Sequence, residues 1–369
     1  MKVVFRVDAS IQIGIGHVMR CLALAQGLAA KEHRVSFICR AHPGHLIEYI
    51  QQQGFVVFII KNQLLGSNPI RDGNGLEGAD VLFHAHWLGA SQQEDAYVCQ
   101  AYLDSIMPDW LIVDHYALDE RWHKFLHASY KKLMVIDDLA DRKHACQLLL
   151  DQTYGRAYSD YQPLVSDGSE LLLGSSYALL RPEFVAWRDN SLQRRKSAPF
   201  KQLLISLGGI DKENVTSEVL SALKKCDLPR DLSIIVVMGS GAPFLSNVQD
   251  LVATLPNMTE VKVNVQNMAE LMANSDIAIG AAGTTVWERC CLGLPSMVIM
   301  LAENQRLIFE CLQKEQVVWV LKREQLLVDI QACFSHLTSA ELLGYSRRSM
   351  NLVDGLGVDR VVQKLVEIA

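Results

Sequence analysis

Residues 3–20, Val3-Val-Phe-Arg-Val-Asp-Ala-Ser-Ile-Gln-Ile-Gly-Ile-Gly-His-Val-Met-Arg20, compress a strand, a glycine turn and a helix start into one short stretch. Residues 3–7 are β-branched and aromatic, whereas Val18, Leu22, Ala25, Leu28 and Ala29 recur at helical spacing. Gly14 and Gly16 lack a Cβ, so the backbone between the two elements can turn sharply and a ligand can approach it closely. A helix start offers free N–H groups and the positive end of a dipole, which together favour an anion such as a phosphate. His17 falls in that first turn, where a neutral ring nitrogen can accept a proton, as a general base must. The same residues also suit a plain polar cap. A dinucleotide fingerprint would need a third glycine and an acidic residue about 20 positions on; the next strand, 34–39, closes on neither Asp nor Glu, so a nicotinamide enzyme is disfavoured.

Short apolar strands at 34–39 and 56–60 alternate with helical stretches at 17–30 and 45–53, the signature of a parallel sheet covered on both faces. Residues 61–90 break the rhythm with repeated glycines and form a long excursion, of the kind that is often functional. His84 and His86 there have a spacing compatible with a metal but no acidic or cysteine partner, and read as loop histidines. After an amphipathic helix at 92–106, the strand 110–113 ends in Asp114-His115-Tyr116. Loops at the carboxyl ends of strands line the ligand crevice in open α/β sheets, which sets this triplet beside the Gly14–His17 turn. An aspartate capping the next turn and a tyrosine anchoring it remain the structural alternative. Further strands follow at 132–136, 148–151 and 171–174, and Pro182 begins a helix.

Residues 191–201 are polar and basic with no apolar period, and read as a linker. A second α/β series then opens with a strand at 202–205, a glycine turn containing Gly208 and Gly209, and a helix at 214–225, which repeats the N-terminal plan. The expected division is therefore an N-terminal domain at 1–190, a linker at 191–201, a C-terminal domain at 202–350 and a final helix at 351–369. Within the second half, the strand at 277–280 runs into Gly283-Thr284-Thr285, which can cradle a diphosphate, with Glu288 one turn on to accept from ribose hydroxyls. A threonine-capped helix with Glu288 closing a capping box would explain part of this pattern. Glu303-Asn304-Gln305 follows the strand at 294–300, where Asn304 also suits a helix cap.

Composition narrows the function classes. A net charge of −6 spread along 369 residues leaves no basic patch for nucleic acid. No apolar run approaches membrane-spanning length and the N-terminus turns polar too early for a signal peptide, so a soluble chain in the cytoplasm is the default expectation. The nine cysteines include no Cys-x-x-Cys and read as reduced core thiols.

Taken together, Arg6-Val-Asp8, Gly14-Ile-Gly-His-Val-Met-Arg20, Leu111-Ile-Val-Asp-His-Tyr-Ala117, Asp137-Asp-Leu-Ala-Asp141, Tyr177-Ala-Leu-Leu-Arg-Pro-Glu-Phe184, Leu207-Gly-Gly-Ile-Asp211, Gly283-Thr-Thr-Val-Trp-Glu-Arg289 and Glu303-Asn-Gln305 resemble the UDP-sugar hydrolases of pseudaminic acid biosynthesis in order and spacing. The likeness covers nearly the whole chain. It departs at Ser175-Ser176, where a glycine-proline pair is more usual, and at Ile210, a variable place.

The resemblance implies a GT-B arrangement, α/β with two Rossmann-like doubly wound parallel-sheet domains facing a central cleft. It implies catalytic roles for His17, Tyr116 and Asn304, and substrate contacts from Asp8, Gly14, Gly16, Arg20, His115, Gly208, Gly209, Gly283, Thr284, Thr285, Glu288 and Gln305. The expected reaction is attack of water on the anomeric carbon of a UDP-sugar with inversion, His17 acting as base. It needs no cofactor, and no Asp-x-Asp pair suited to a diphosphate-bound metal is present. Neither nucleic acid nor membrane is an expected partner, and a monomer is compatible with this plan. A GT-B glycosyltransferase, a UDP-GlcNAc-type 2-epimerase and a nucleotide-sugar binding module remain as alternatives.

Overall fold

The computed structural model describes residues 1–61, 82–197 and 200–369. Most of the 61–90 excursion, and two residues of the expected linker, lie outside them. The chain divides into two compact units. The first comprises Met1–Gln152, Arg156–Leu179 and Val358–Ala369, and the second Thr153–Gly155 and Leu180–Gly357.

In the first unit the described residues form a parallel sheet of seven strands: β1 (Lys2–Val7), β2 (Arg34–Arg40), β3 (Val56–Ile60), β4 (Trp110–Asp114), β5 (Lys132–Ile136), β6 (Leu148–Asp151) and β7 (Glu170–Leu173). Their order is β3-β2-β1-β4-β5-β6-β7, so the winding reverses between β1 and β4. Such a reversal opens a crevice at the carboxyl ends of the two strands. There the register pairs Val7 with Asp114.

Both faces of this sheet are apolar, as parallel sheets require. One carries Phe5, Phe37 and Ile112 against the helix Gly16–Ala30, and the other carries Val4, Leu111 and Val113 against the helix Gln92–Ile106. The helix Gly357–Ile368 belongs to the first face. Val361, Val362 and Leu365 are fully buried there, and the Trp110 indole donates to the Leu365 carbonyl at 3.1 Å. The end of the chain thus completes the unit that its beginning starts.

The second unit repeats the topology. Strands β8 (Gln202–Ser206), β9 (Ser233–Met238), β10 (Thr259–Val263), β11 (Ile277–Ala281), β12 (Ser296–Ile299) and β13 (Trp319–Leu321) lie in the order β10-β9-β8-β11-β12-β13. Here the reversal falls between β8 and β11, where Gly280 pairs with Ser206.

Residues 191–195 are not linker but the last part of the helix Pro182–Arg195. Their polar side chains make internal contacts. Ser191 donates to the Leu292 carbonyl, Arg194 pairs with the buried Asp276 at 2.7 Å, and Arg195 donates to the carbonyls of Met272 and Ser275. The basic run that looks solvated in sequence is a set of clamps within the second unit. The described cysteines are free thiols, and no helix among the described residues is long and apolar enough to cross a membrane.

Candidate active site

In the first unit the turn after β1 is tied by its own serine. Ser10 Oγ accepts from the amides of Gln12 and Ile13, and its carbonyl accepts from Gly14 at 2.8 Å. Gly14 takes a φ of 80°, a conformation that costs an L residue and suits glycine. The helix starts at Gly16, so His17 stands in its first turn at the end of the sheet.

Asp114, the last residue of β4, meets it there: His17 Nδ1 lies 2.6 Å from Asp114 Oδ1. The Arg20 guanidinium grips the same carboxylate with Nε and Nη2, at 2.6 and 2.7 Å, and reaches Asp138 with Nη1 at 2.8 Å. Burial alone would push the Asp114 carboxyl upward. The Arg20 charge and the His17 contact outweigh it and hold the carboxyl well below its usual range. An ionised Asp114 can only accept, so His17 donates through Nδ1, and the tautomer this selects has Nε2 as its acceptor. Asp114 is therefore no cap for the next turn.

Tyr116 donates its hydroxyl to Asp138 at 2.7 Å. Burial, reinforced by Asp138, raises its phenol well above the ordinary value, so it stays a neutral donor. Its ring meets His17 edge-on with centroids 4.6 Å apart, and Trp87 stacks on it at 5.6 Å. His84 closes the group, 4.4 Å from Trp87 and 5.1 Å from Tyr116. Trp87 was missed by sequence reasoning, and His84 was read as an ordinary loop histidine, because both sit beside a glycine-rich stretch with no periodicity.

Three expected ligand residues of this unit face inward. Asp8 is fully buried, paired with Arg6 at 2.7 Å and 3.3 Å from His115 Nε2. His115 is itself buried and accepts from the Ala117 amide through Nδ1. Burial lowers the His115 imidazole against the pull of Asp8. Arg20 spends its donors on two carboxylates, so it holds Asp114 rather than presenting a free cation.

In the second unit, Gly208 (φ 104°) and Gly209 form the turn after β8, fastened by the Gly239 amide donating to the Gly209 carbonyl at 2.8 Å. Asp211 then caps the amides of Val215 and Thr216 at 3.0 and 2.9 Å. At the neighbouring strand end, Gly283 leads into the helix Thr285–Cys291, and a Cβ on Gly283 would sit 3.6 Å from Gln305 Nε2. Gln305 itself accepts from the Leu301 amide through Oε1 at 2.9 Å.

Glu288 forms no capping box. It meets Arg181 at 3.3 Å, and burial raises its carboxyl against that cation. Asn304 is exposed in the single turn Glu303–Gln305, which follows Ala302 without a side-chain cap, and among the described residues nothing bonds its side-chain amide. Sequence reasoning named Arg181 and Arg289 within the motifs of the resemblance and gave neither a role. The structure thus gathers Gly14, Gly16, His17 and Tyr116 at the first reversal point, and Gly208, Gly209, Gly283, Thr284 and Thr285 at the second. Among the described residues, no group of three or more His, Cys, Asp or Glu side chains is arranged to hold a metal ion.

Two parallel-sheet units with their polar turns at equivalent reversal points define a GT-B fold. Over 99% of both chains it matches Acinetobacter baumannii MurG, with a TM-score of 0.69 at 16% identity. Residues 203–339 match the glycosyltransferase family 28 C-terminal domain.

Among curated proteins, the chain is similar to the UDP-2,4-diacetamido-2,4,6-trideoxy-beta-L-altropyranose hydrolase of Campylobacter jejuni, 29% identical over 83% of this chain and 93% of that one. It is also similar, at 28% identity over 83% of this chain, to an uncharacterized protein of Methanocaldococcus jannaschii, of which the match spans only 57%. The resemblance carried by the sequence motifs therefore extends over most of the chain.

Proposed function

We propose that the chain is a nucleotide-sugar enzyme that hydrolyses a UDP-diacetamido-trideoxyhexose, releasing UDP by water attack at the anomeric carbon. The observation that carries this reading is the His17–Asp114 pair. A carboxylate fixed by Arg20 holds Nδ1, and leaves Nε2 as a proton acceptor beside Trp87 and Tyr116. The glycine turns after β8 and β11 supply the diphosphate contacts, and Glu288 the ribose contact.

In the proposed step, His17 Nε2 takes a proton from water as the water oxygen bonds to the anomeric carbon. The bond from that carbon to the diphosphate oxygen breaks, and its electron pair leaves with UDP. Attack opposite the leaving group inverts configuration. A positioned base contributes roughly 10²–10⁴ in rate. The diphosphate is a stable anion, so hydrogen-bond donors aimed at its growing charge replace a general acid. The reading assigns no metal to the step, and gives Tyr116 and Asn304 the task of holding sugar or water in line.

The match to a glycosyltransferase domain supports a second reading, in which an acceptor hydroxyl takes the place of water. One experiment separates them: UDP release from several UDP-sugars by the purified full chain, without acceptor. Turnover supports hydrolysis, and turnover that waits for an acceptor overturns it. In ¹⁸O-water the label should enter the sugar, whereas label in UDP would mean P–O cleavage. Full activity in His17→Ala would remove the base assignment.

A further inference from the structure

Arg289 is a buried cation without a carboxylate. Its side chain lies under the turn that joins β11 to the helix Thr285–Cys291, with only 2% of the residue exposed. One Nη donates to the Ala281 carbonyl at 2.7 Å and the other to Thr285 Oγ1 at 3.2 Å. Nε is buried with no acceptor. Among the described residues no carboxylate reaches ion-pairing distance, although Glu288 is next in sequence. The guanidinium is seated where a Cβ on Gly280 would collide with it, so the strand carries glycine at the point where the cation passes.

Burial pushes Arg289 down to about 10, which leaves it charged at neutral pH. Arg6 and Arg20, buried in the first unit, each grip two aspartates, and Arg40 grips one. A desolvated cation held only by a carbonyl and a hydroxyl is costly unless an anion comes near.

The contact with Thr285 has a directional consequence. Arginine can only donate, so Thr285 Oγ1 accepts from it, and the hydroxyl proton is left free to point elsewhere. We propose that Arg289 is a positioning residue for the diphosphate of the nucleotide, turning the Thr285 hydroxyl into a donor and placing a positive charge beneath the Gly280–Gly283 turn. This inference rests on the nucleotide reading above. In it, a diphosphate arriving at the turn supplies the countercharge that the protein withholds, and UDP is held through its phosphates more than through uridine.

The test compares UDP binding by calorimetry with uridine binding by ligand-observed NMR, in the full chain and in Arg289→Met and Arg289→Lys. Arg289→Met should weaken UDP at least 10-fold and leave uridine unchanged. Arg289→Lys, which keeps the charge but loses the fork, should fall between, and serves if the methionine variant does not fold. Combining Arg289→Lys with Thr285→Val should cost less than the sum of the two single losses, because the residues act as one unit. Equal UDP affinity in the wild type and the variants, or parallel loss of UDP and uridine, would overturn the proposal. If the wild type binds no UDP, the nucleotide reading itself fails and takes this inference with it. If it binds UDP and the variants match it, only the role of Arg289 is lost.

Discussion

The imidazole of His17 and the carboxylate of Asp114 come within 2.6 Å of each other across 97 residues of sequence, and Arg20, three residues after His17, grips the same carboxylate. The tautomer of the proposed base is thereby set by a buried ion. Asp114→Asn replaces the acceptor by an amide that can donate to Nδ1, which moves the ring proton to Nε2 and removes the base. The rate of UDP release should fall roughly 10²–10⁴-fold with little change in UDP affinity. Arg20 keeps Asp138, so a folded variant is expected. A folded Asp114→Asn protein with wild-type turnover would contradict the assignment.

Trp87 packs beside both the proposed base and Tyr116, with part of its indole open. An aromatic face of this kind offers apolar area to a deoxysugar and its acetamido methyls. Trp87→Ala should raise KM for the UDP-sugar about 10-fold, in line with the worth of an aromatic contact, and leave the affinity for UDP alone unchanged. Steady-state kinetics paired with UDP calorimetry reads both.

The strands and the doubly wound plan are legible in the sequence because β-branched runs and glycine turns are local signals. Residues 132–136 and 148–151, for example, become β5 and β6 at the expected bounds. The Gly14 and Gly208 turns are legible for the same reason. What sequence hides is partnership. Asp8 and His115 look like ligand residues at strand ends, yet each is the other's buried partner. Arg194 and Arg195 look like a linker, yet Arg194 pairs with Asp276 and Arg195 donates to the carbonyls of Met272 and Ser275. Arg289 reads as an ordinary helix cation, and only its seat beneath Gly280 distinguishes it.

Gly239 is an invisible participant of this kind. A Cβ there would collide with the carbonyl of Gly209, which its own amide already binds at 2.8 Å. Backbone cannot rotate away as a side chain tip can, so Gly239→Ala should displace the Gly208–Gly209 turn. The expected cost is about 1–3 kcal/mol of stability, as for other overpacked sites, with weaker UDP binding. Gly241→Ala adds a Cβ into open space and should change neither. Thermal melts and UDP titrations of the two variants make the comparison.

Acid should loosen the first unit before the second. His144 is buried and neutral, with burial outweighing Asp137 to bring its imidazole down to about 4, and burial likewise lowers His123. A histidine whose folded value is depressed stabilises the fold above its unfolded value of about 6.5, and that contribution drains away as pH falls toward 4. Next come Asp8, Asp95, Asp114 and Asp137. Burial would raise each of them, but Arg6 outweighs it for Asp8 and Asp95, Arg20 for Asp114 and Arg142 for Asp137, leaving all four below the usual range. Their contribution is present above about 3.9 and is lost as pH drops below it. Glu288 of the second unit is shifted the other way by burial, so protonation there favours the fold. Amide exchange followed by mass spectrometry from pH 7 down to 3 should therefore show β1, β4 and β5 losing protection before β8 and β11. Simultaneous loss in both sheets would mean that these buried charges do not govern acid stability.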